Sequence, residues 1–132
     1  MSLTDRESSA GLLQDGVCLL LLIPVLGWAR DGKTVGNWIH ELEGAAAVIN
    51  LFGKSVNCRY TTKNKKEIID SRVNSTLAIG EGIRQLSKPP AIWINAGSAA
   101  IFGNGGHEIK NETSSPGTGF SSEVCKQWEK AF

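Results

Sequence analysis

Two short turns carry the residue types that could do chemistry: Ile49-Asn50-Leu51-Phe52-Gly53 and Ile94-Asn95-Ala96-Gly97-Ser98. Each closes a brief apolar run with an Asn, and a Gly follows within three residues. Such runs read as buried parallel strands, and in open α/β sheets ligands sit just beyond the carboxyl ends of those strands. Asn50 to Gly53 is therefore the first place to look for a site. The remaining reactive side chains stand without partners. His40 lies beside Ile39 and His107 in a polar loop, neither at metal or catalytic spacing, so structural or solvated roles are expected. Cys18, Cys58 and Cys125 are odd in number and form no Cys-x-x-Cys pair, which argues against a zinc site or a disulfide framework and for a reducing compartment. Cys125 reads as a buried thiol beside Trp128 rather than a nucleophile, because no base adjoins it.

The chain has 132 residues, enough for one domain with a real core and too few for two ordinary ones. Its net charge of +1 gives no reason to expect nucleic acid as a partner. Lys63, Lys65 and Lys66 form the densest basic patch, but Glu67 and Asp70 follow at once; together with Arg72 they read as the solvated face of a helix. The apolar stretch Gly16 to Trp28 is shorter than the ~18 residues a membrane span needs, is broken by Pro24, and lacks the basic flank of a signal peptide. A buried strand or short helix is expected there, with no membrane partner and a cytoplasmic location.

The elements that must position the two turns follow from periodicity. Asn37 is suited to cap a short helix with Trp38, Ile39 and Leu42 inward and Gly44 as its stop. Ala45 to Leu51 is then a strand. From Thr62 to Leu86 the apolar period lengthens, with Ile69, Val73, Thr76, Leu77, Gly80 and Ile83 as the inward stripe of an amphipathic helix. Gly80 and Gly82 each cost about 1 kcal/mol in a helix interior, which points to close packing on a sheet or a weak last turn. Lys88-Pro89-Pro90 ends that helix, and Ala91 to Ala96 reads as a second buried strand. After a glycine-rich loop, Phe120 to Phe132 forms a closing helix with Val124, Cys125, Trp128 and Phe132 inward. Strand, helix, strand is the crossover unit of a parallel sheet, so the two turns are expected side by side in one shallow pocket.

Four segments, "WARDGKTVGNW", "ELEGAAAVINLFGKSVNCRYTTKNKKEIIDSRVNST", "KPPAIWINAGSAAIFG" and "GFSSEVCKQWEKAF", in this order, resemble the middle of an atypical short-chain dehydrogenase/reductase of the NAD-dependent epimerase-like group. The resemblance runs from about Trp28 to Phe132. It implies an α/β fold: a partial Rossmann-type parallel sheet with flanking helices over residues 28–132, preceded at 1–27 by a leader that is either unrelated or disordered and apolar. It implies NADP or NAD as cofactor, with Asn50, Leu51, Phe52, Gly53, Ala96 and Gly97 against the dinucleotide and Ser98 as the catalytic hydroxyl that holds a carbonyl oxygen during hydride transfer. A small-molecule substrate of unspecified identity would be the other partner. Glu112 resembles the acidic residue that follows the serine loop.

Departures from the family pattern set limits on that expectation. Phe52 stands where a small residue is usual. Phe120 and Val124 occupy the positions of the Tyr-x-x-x-Lys pair and have no proton to give. No Gly-x-x-Gly-x-x-Gly turn occurs, so nothing in the sequence supplies the helix N-terminus that takes a pyrophosphate. The expectation is a portion of an NAD(P)-dependent oxidoreductase or sugar-nucleotide epimerase-like protein, inactive alone, binding dinucleotide weakly or not at all, and prone to self-association. The alternative is a non-enzymatic interaction module that uses its apolar N-terminal segment.

Overall fold

A computed structural model describes residues 10–13, 17–20 and 36–132. Four strands form one sheet in the order β1 (Ala10–Leu13), β2 (Val17–Leu20), β3 (Ala47–Asn50), β4 (Ile92–Asn95). β1 runs antiparallel to β2, whereas β2, β3 and β4 are parallel. The crossover from β3 to β4 contains helix α1 (Thr62–Gln85), and α2 (Phe120–Ala131) closes the chain. The strand–helix–strand unit read from the periodicity is thus present, with Asn50 and Asn95 as register partners at neighbouring strand ends.

Two of the strands fall within residues 1–27, where a leader was expected. Part of the apolar stretch is strand β2, paired with β3 from Val17↔Ala47 to Leu20↔Asn50. No helix among the described residues is long and apolar enough to cross a membrane.

Local sequence explains the element ends. Thr61 caps α1 by accepting from the Asn64 N–H at 3.2 Å, and the helix stops three residues before Lys88-Pro89-Pro90. The short helix ahead of β3 is a 3-10 turn, Asn37–Leu42, with Gly36 rather than Asn37 in the capping position. Its Trp38, Ile39 and Leu42 are buried as expected, and Gly44, at φ +71°, lets the chain turn into β3 at a conformation other residues resist.

Trp38, Leu42, Val48 and Ile79 form the core, with Ile83, Leu86 and Trp93 packed around it. The helix glycines are there for close approach. A Cβ at Gly80 would lie 3.3 Å from the Trp93 ring, and one at Gly82 3.1 Å from the Trp38 ring. The helical stripe is rotated from the expected one: Ile68, Ser75, Thr76, Ala78, Ile79, Gly80 and Gly82 are buried, while Leu77 is exposed. Two neighbours explain this, since α1 packs on the sheet with one side and on α2 with the other. β4 also differs from the fully buried strand expected at Ala91 to Ala96. Trp93 and Asn95 face the helices, but Ile92 and Ile94 are 55% and 49% exposed on the opposite face, so this strand is buried on one side only.

Candidate functional site

The ends of β3 and β4 are joined by buried side chains. Asn50, fully buried, donates from Nδ2 to Asn95 Oδ1 at 2.6 Å, and its Oδ1 accepts from the Phe52 N–H at 3.0 Å. Thr76 of α1 lies beside both: its Oγ1 donates to the Arg72 carbonyl at 2.9 Å and accepts from Trp128 Nε1 of α2 at 3.0 Å. Two strands and two helices therefore meet at one polar knot. Buried polar groups hold a structure together only when satisfied, and here each has a partner.

Beyond the knot, a pocket of about 300 Å³ opens between the strand ends and the helices. Gly97, Ser98 and Ala100 come from the loop after β4, Val56 and Tyr60 from the loop after β3, Ile68 and Arg72 from α1, and Phe120, Val124, Cys125 and Trp128 from α2. The start of α2 is clamped to the loop after β4. Ser122 Oγ lies 2.7 Å from the Ile101 carbonyl and 2.9 Å from that of Gly117. Tyr60 packs edge-on against Phe120 with ring centroids 5.1 Å apart, and Lys65 Nζ sits 5.2 Å from the Phe120 ring centre.

Of the residues expected at the site, Gly97 and Ser98 line this pocket. Ser98 begins a 3-10 turn, Ala99–Phe102, and its Oγ accepts from the Ala100 N–H at 3.2 Å. The pocket shared between Asn50–Gly53 and Ala96–Ser98 is realised only on its Ser98 side. Asn50 lies inside the knot, Leu51 is half exposed and Phe52 half-buried. Gly53 is pressed on Arg72, where an added Cβ would stand 2.8 Å from the guanidinium carbon. Ala96 extends the ladder, its N–H bonding the Asn50 carbonyl at 2.9 Å. Glu112 is exposed.

Sequence reasoning placed Arg72 on a solvated helix face, and the structure does not. Its Nη1 lies 3.0 Å from the Lys54 carbonyl and 3.1 Å from that of Ile68, and its guanidinium sits 5.3 Å from the Trp128 ring centre. Burial lowers its pKa from the ordinary value. The available signal was its position: Arg72 falls four residues before Thr76, on the same side of the helix. Lys63 and Lys66 do form a solvated face, paired with Glu67 and Asp70 one turn on.

Cys125 is buried in the pocket wall, as expected. Burial, and then the negative Glu129, push its thiol up, against smaller opposing effects of Arg72 and the Ser98 hydroxyl. It is a poor nucleophile at neutral pH. The described residues hold no group of three or more His, Cys, Asp or Glu side chains placed to bind a metal ion.

No family model matches the chain. Among individual proteins it is 29% identical over 94 residues to the epimerase family protein SDR39U1 homolog, chloroplastic, of Arabidopsis thaliana, covering 70% of this chain and 27% of that protein. The structure of human epimerase family protein SDR39U1 with NADPH superposes with a TM-score of 0.55 at 26% identity, over 68% of this chain and 32% of that one. The nucleoside-diphosphate sugar epimerase from Corynebacterium glutamicum gives a TM-score of 0.60 at 28% identity, over 79% and 21%. The chain thus spans a third or less of the length of each of these relatives. Matching in sequence and in the arrangement of its parallel strands and flanking helices, this chain is a relative of the epimerase family proteins and shares part of their Rossmann-type fold.

Proposed function

We propose that this chain carries the substrate-facing part of an NAD(P)-dependent oxidoreductase of the sugar-nucleotide epimerase type, and that alone it has no dehydrogenase activity. The observation that carries the reading is Ser98, placed just beyond the end of the parallel strand β4 on the wall of a pocket whose other walls are α1 and α2. Its hydroxyl is suited to hold a substrate carbonyl oxygen. The likeness to a chain solved with NADPH supports a dinucleotide as the family's cofactor. Phe120 and Val124 line the same pocket from α2, at the positions that the family's proton-donating pair would occupy, and neither has a proton to give.

The residues present do not fit a whole dinucleotide. A pocket of about 300 Å³ is at the small end for ligand sites and suits one ring-sized group. The sequence offers no glycine-rich turn at a helix N-terminus for the pyrophosphate. No hydride step is therefore assigned to this chain. Losing ~4 kcal/mol of phosphate binding turns a micromolar site into a millimolar one. A reducing, cytoplasmic setting agrees with the cysteine pattern, and the exposed Ile92 and Ile94 support self-association.

Titration of the purified, monodisperse chain with NADPH, followed by cofactor fluorescence and calorimetry, tests this reading. The expected result is binding no tighter than millimolar and no turnover. A saturable micromolar site with one cofactor per chain would overturn it.

A further inference from the structure

We propose that the pocket beside Ser98 takes a small carboxylic acid with an apolar body, and that Arg72 receives the carboxylate. This deepens the reading above, since it rests on that pocket being the substrate end of the site and names the group it recognises.

The Arg72 guanidinium is braced by the fold. Nη1 is committed to two backbone carbonyls, those of Lys54 and Ile68. Gly53 presses on the group, and the Trp128 ring lies beside it. Arg72 is thereby held in one orientation before any ligand arrives, which lowers the ordering cost of binding. Nε and Nη2 make no hydrogen bond among the described residues, and none of the ion pairs there includes Arg72. Together these two nitrogens form the side edge of the guanidinium, a fork that matches the two oxygens of a carboxylate. A partly buried cation without a counter-charge, on the wall of a pocket, is completed by an anion from outside.

The rest of the lining gives the ligand its shape. Val56, Tyr60, Ile68, Phe120, Val124 and Trp128 make most of the wall apolar or aromatic, and Ser98 supplies a second donor. One cation, with the negative charge of Glu129 felt at Cys125 in the same pocket, suits a single negative charge better than the two of a phosphate.

The test uses the full chain without dinucleotide, so its failure is distinguishable from failure of the NADPH titration. Benzoate is the probe, benzamide its uncharged isostere, and inorganic phosphate the competing oxyanion. Binding is read from the Trp128 indole N–H and the backbone amides of residues 97–100 by NMR. Benzoate should saturate these shifts, with benzamide and phosphate each weaker by about tenfold or more. Arg72→Gln should weaken benzoate to a similar degree. Because Arg72 also braces two carbonyls, Gly97→Val provides a second variant: nothing lies within 4 Å of a Cβ there, so the fold is kept while the pocket narrows. Absence of saturable benzoate binding, equal binding of benzamide, tighter binding of phosphate, or a benzoate affinity untouched by Gly97→Val would each overturn the proposal.

Discussion

The turns at 49–53 and 94–98 begin with the same Ile-Asn pair, end neighbouring parallel strands, and have opposite fates. The first is sealed. Asn50 holds the Phe52 N–H, Ser71 Oγ accepts from the Lys54 N–H at 2.9 Å, and Arg72 takes the Lys54 carbonyl, so the chain leaving β3 is stapled to α1. The second is open. Nothing lies within 4 Å of where a Gly97 side chain would begin, and Ser98 accepts from the Ala100 N–H of its own turn while lining the pocket beside Cys125. Two similar strand ends thus divide the work: one spends its polar groups on the fold, and the other keeps a hydroxyl for a ligand.

Breaking the sealed turn should have the largest effect. Asn50→Ala removes the acceptor of the Phe52 N–H and the amide donor to Asn95 Oδ1 and opens a small cavity, for an expected loss of about 3 kcal/mol in chemical denaturation. A loss below about 1 kcal/mol would show that the knot does not hold the strand ends. Thr76→Val keeps the shape but leaves Trp128 Nε1 without its acceptor, so about 1–2 kcal/mol should go, accompanied by a shift of that indole N–H resonance. At the open turn, Ser98→Ala should change stability by no more than about 0.5 kcal/mol, since the hydroxyl is exposed and bonds one local N–H. A larger loss would erase the contrast between the two turns.

The smallest effect is a pH dependence. The Cys125 thiol has its pKa raised by burial, so the folded state holds that proton more tightly than the unfolded chain. Its contribution to stability is complete below the ordinary thiol value and declines as pH rises above it. Denaturation midpoints of Cys125→Ala and the unaltered chain, compared from neutral to alkaline pH, should show the unaltered chain losing more. Parallel curves would mean that the thiolate is accommodated.

Much of this arrangement was legible in the residues. The apolar runs before Asn50 and Asn95, the long amphipathic segment between them, and the caps and prolines at its ends determined a parallel crossover, because burial of apolar faces and satisfaction of backbone groups leave few other solutions for that pattern. The inward side of α2 followed from the spacing of Val124, Cys125 and Trp128 for the same reason, whereas Phe132, expected inward with them, is 58% exposed. Periodicity reports one buried stripe, however, and α1 has two neighbours, so the burial of Ser75, Thr76 and Ala78 depended on α2 docking beside the sheet. The same docking decided Arg72. A guanidinium two residues from Asp70 and four from Thr76 reads equally well as surface or wall; only the approach of Trp128 from one direction and Gly53 from another, across gaps of 56 and 19 residues in the chain, made it part of a pocket. Nor could alternation alone show that Ile92 and Ile94 stand half exposed, since a strand covered on both faces and one covered on a single face differ in what packs against them rather than in their own residues.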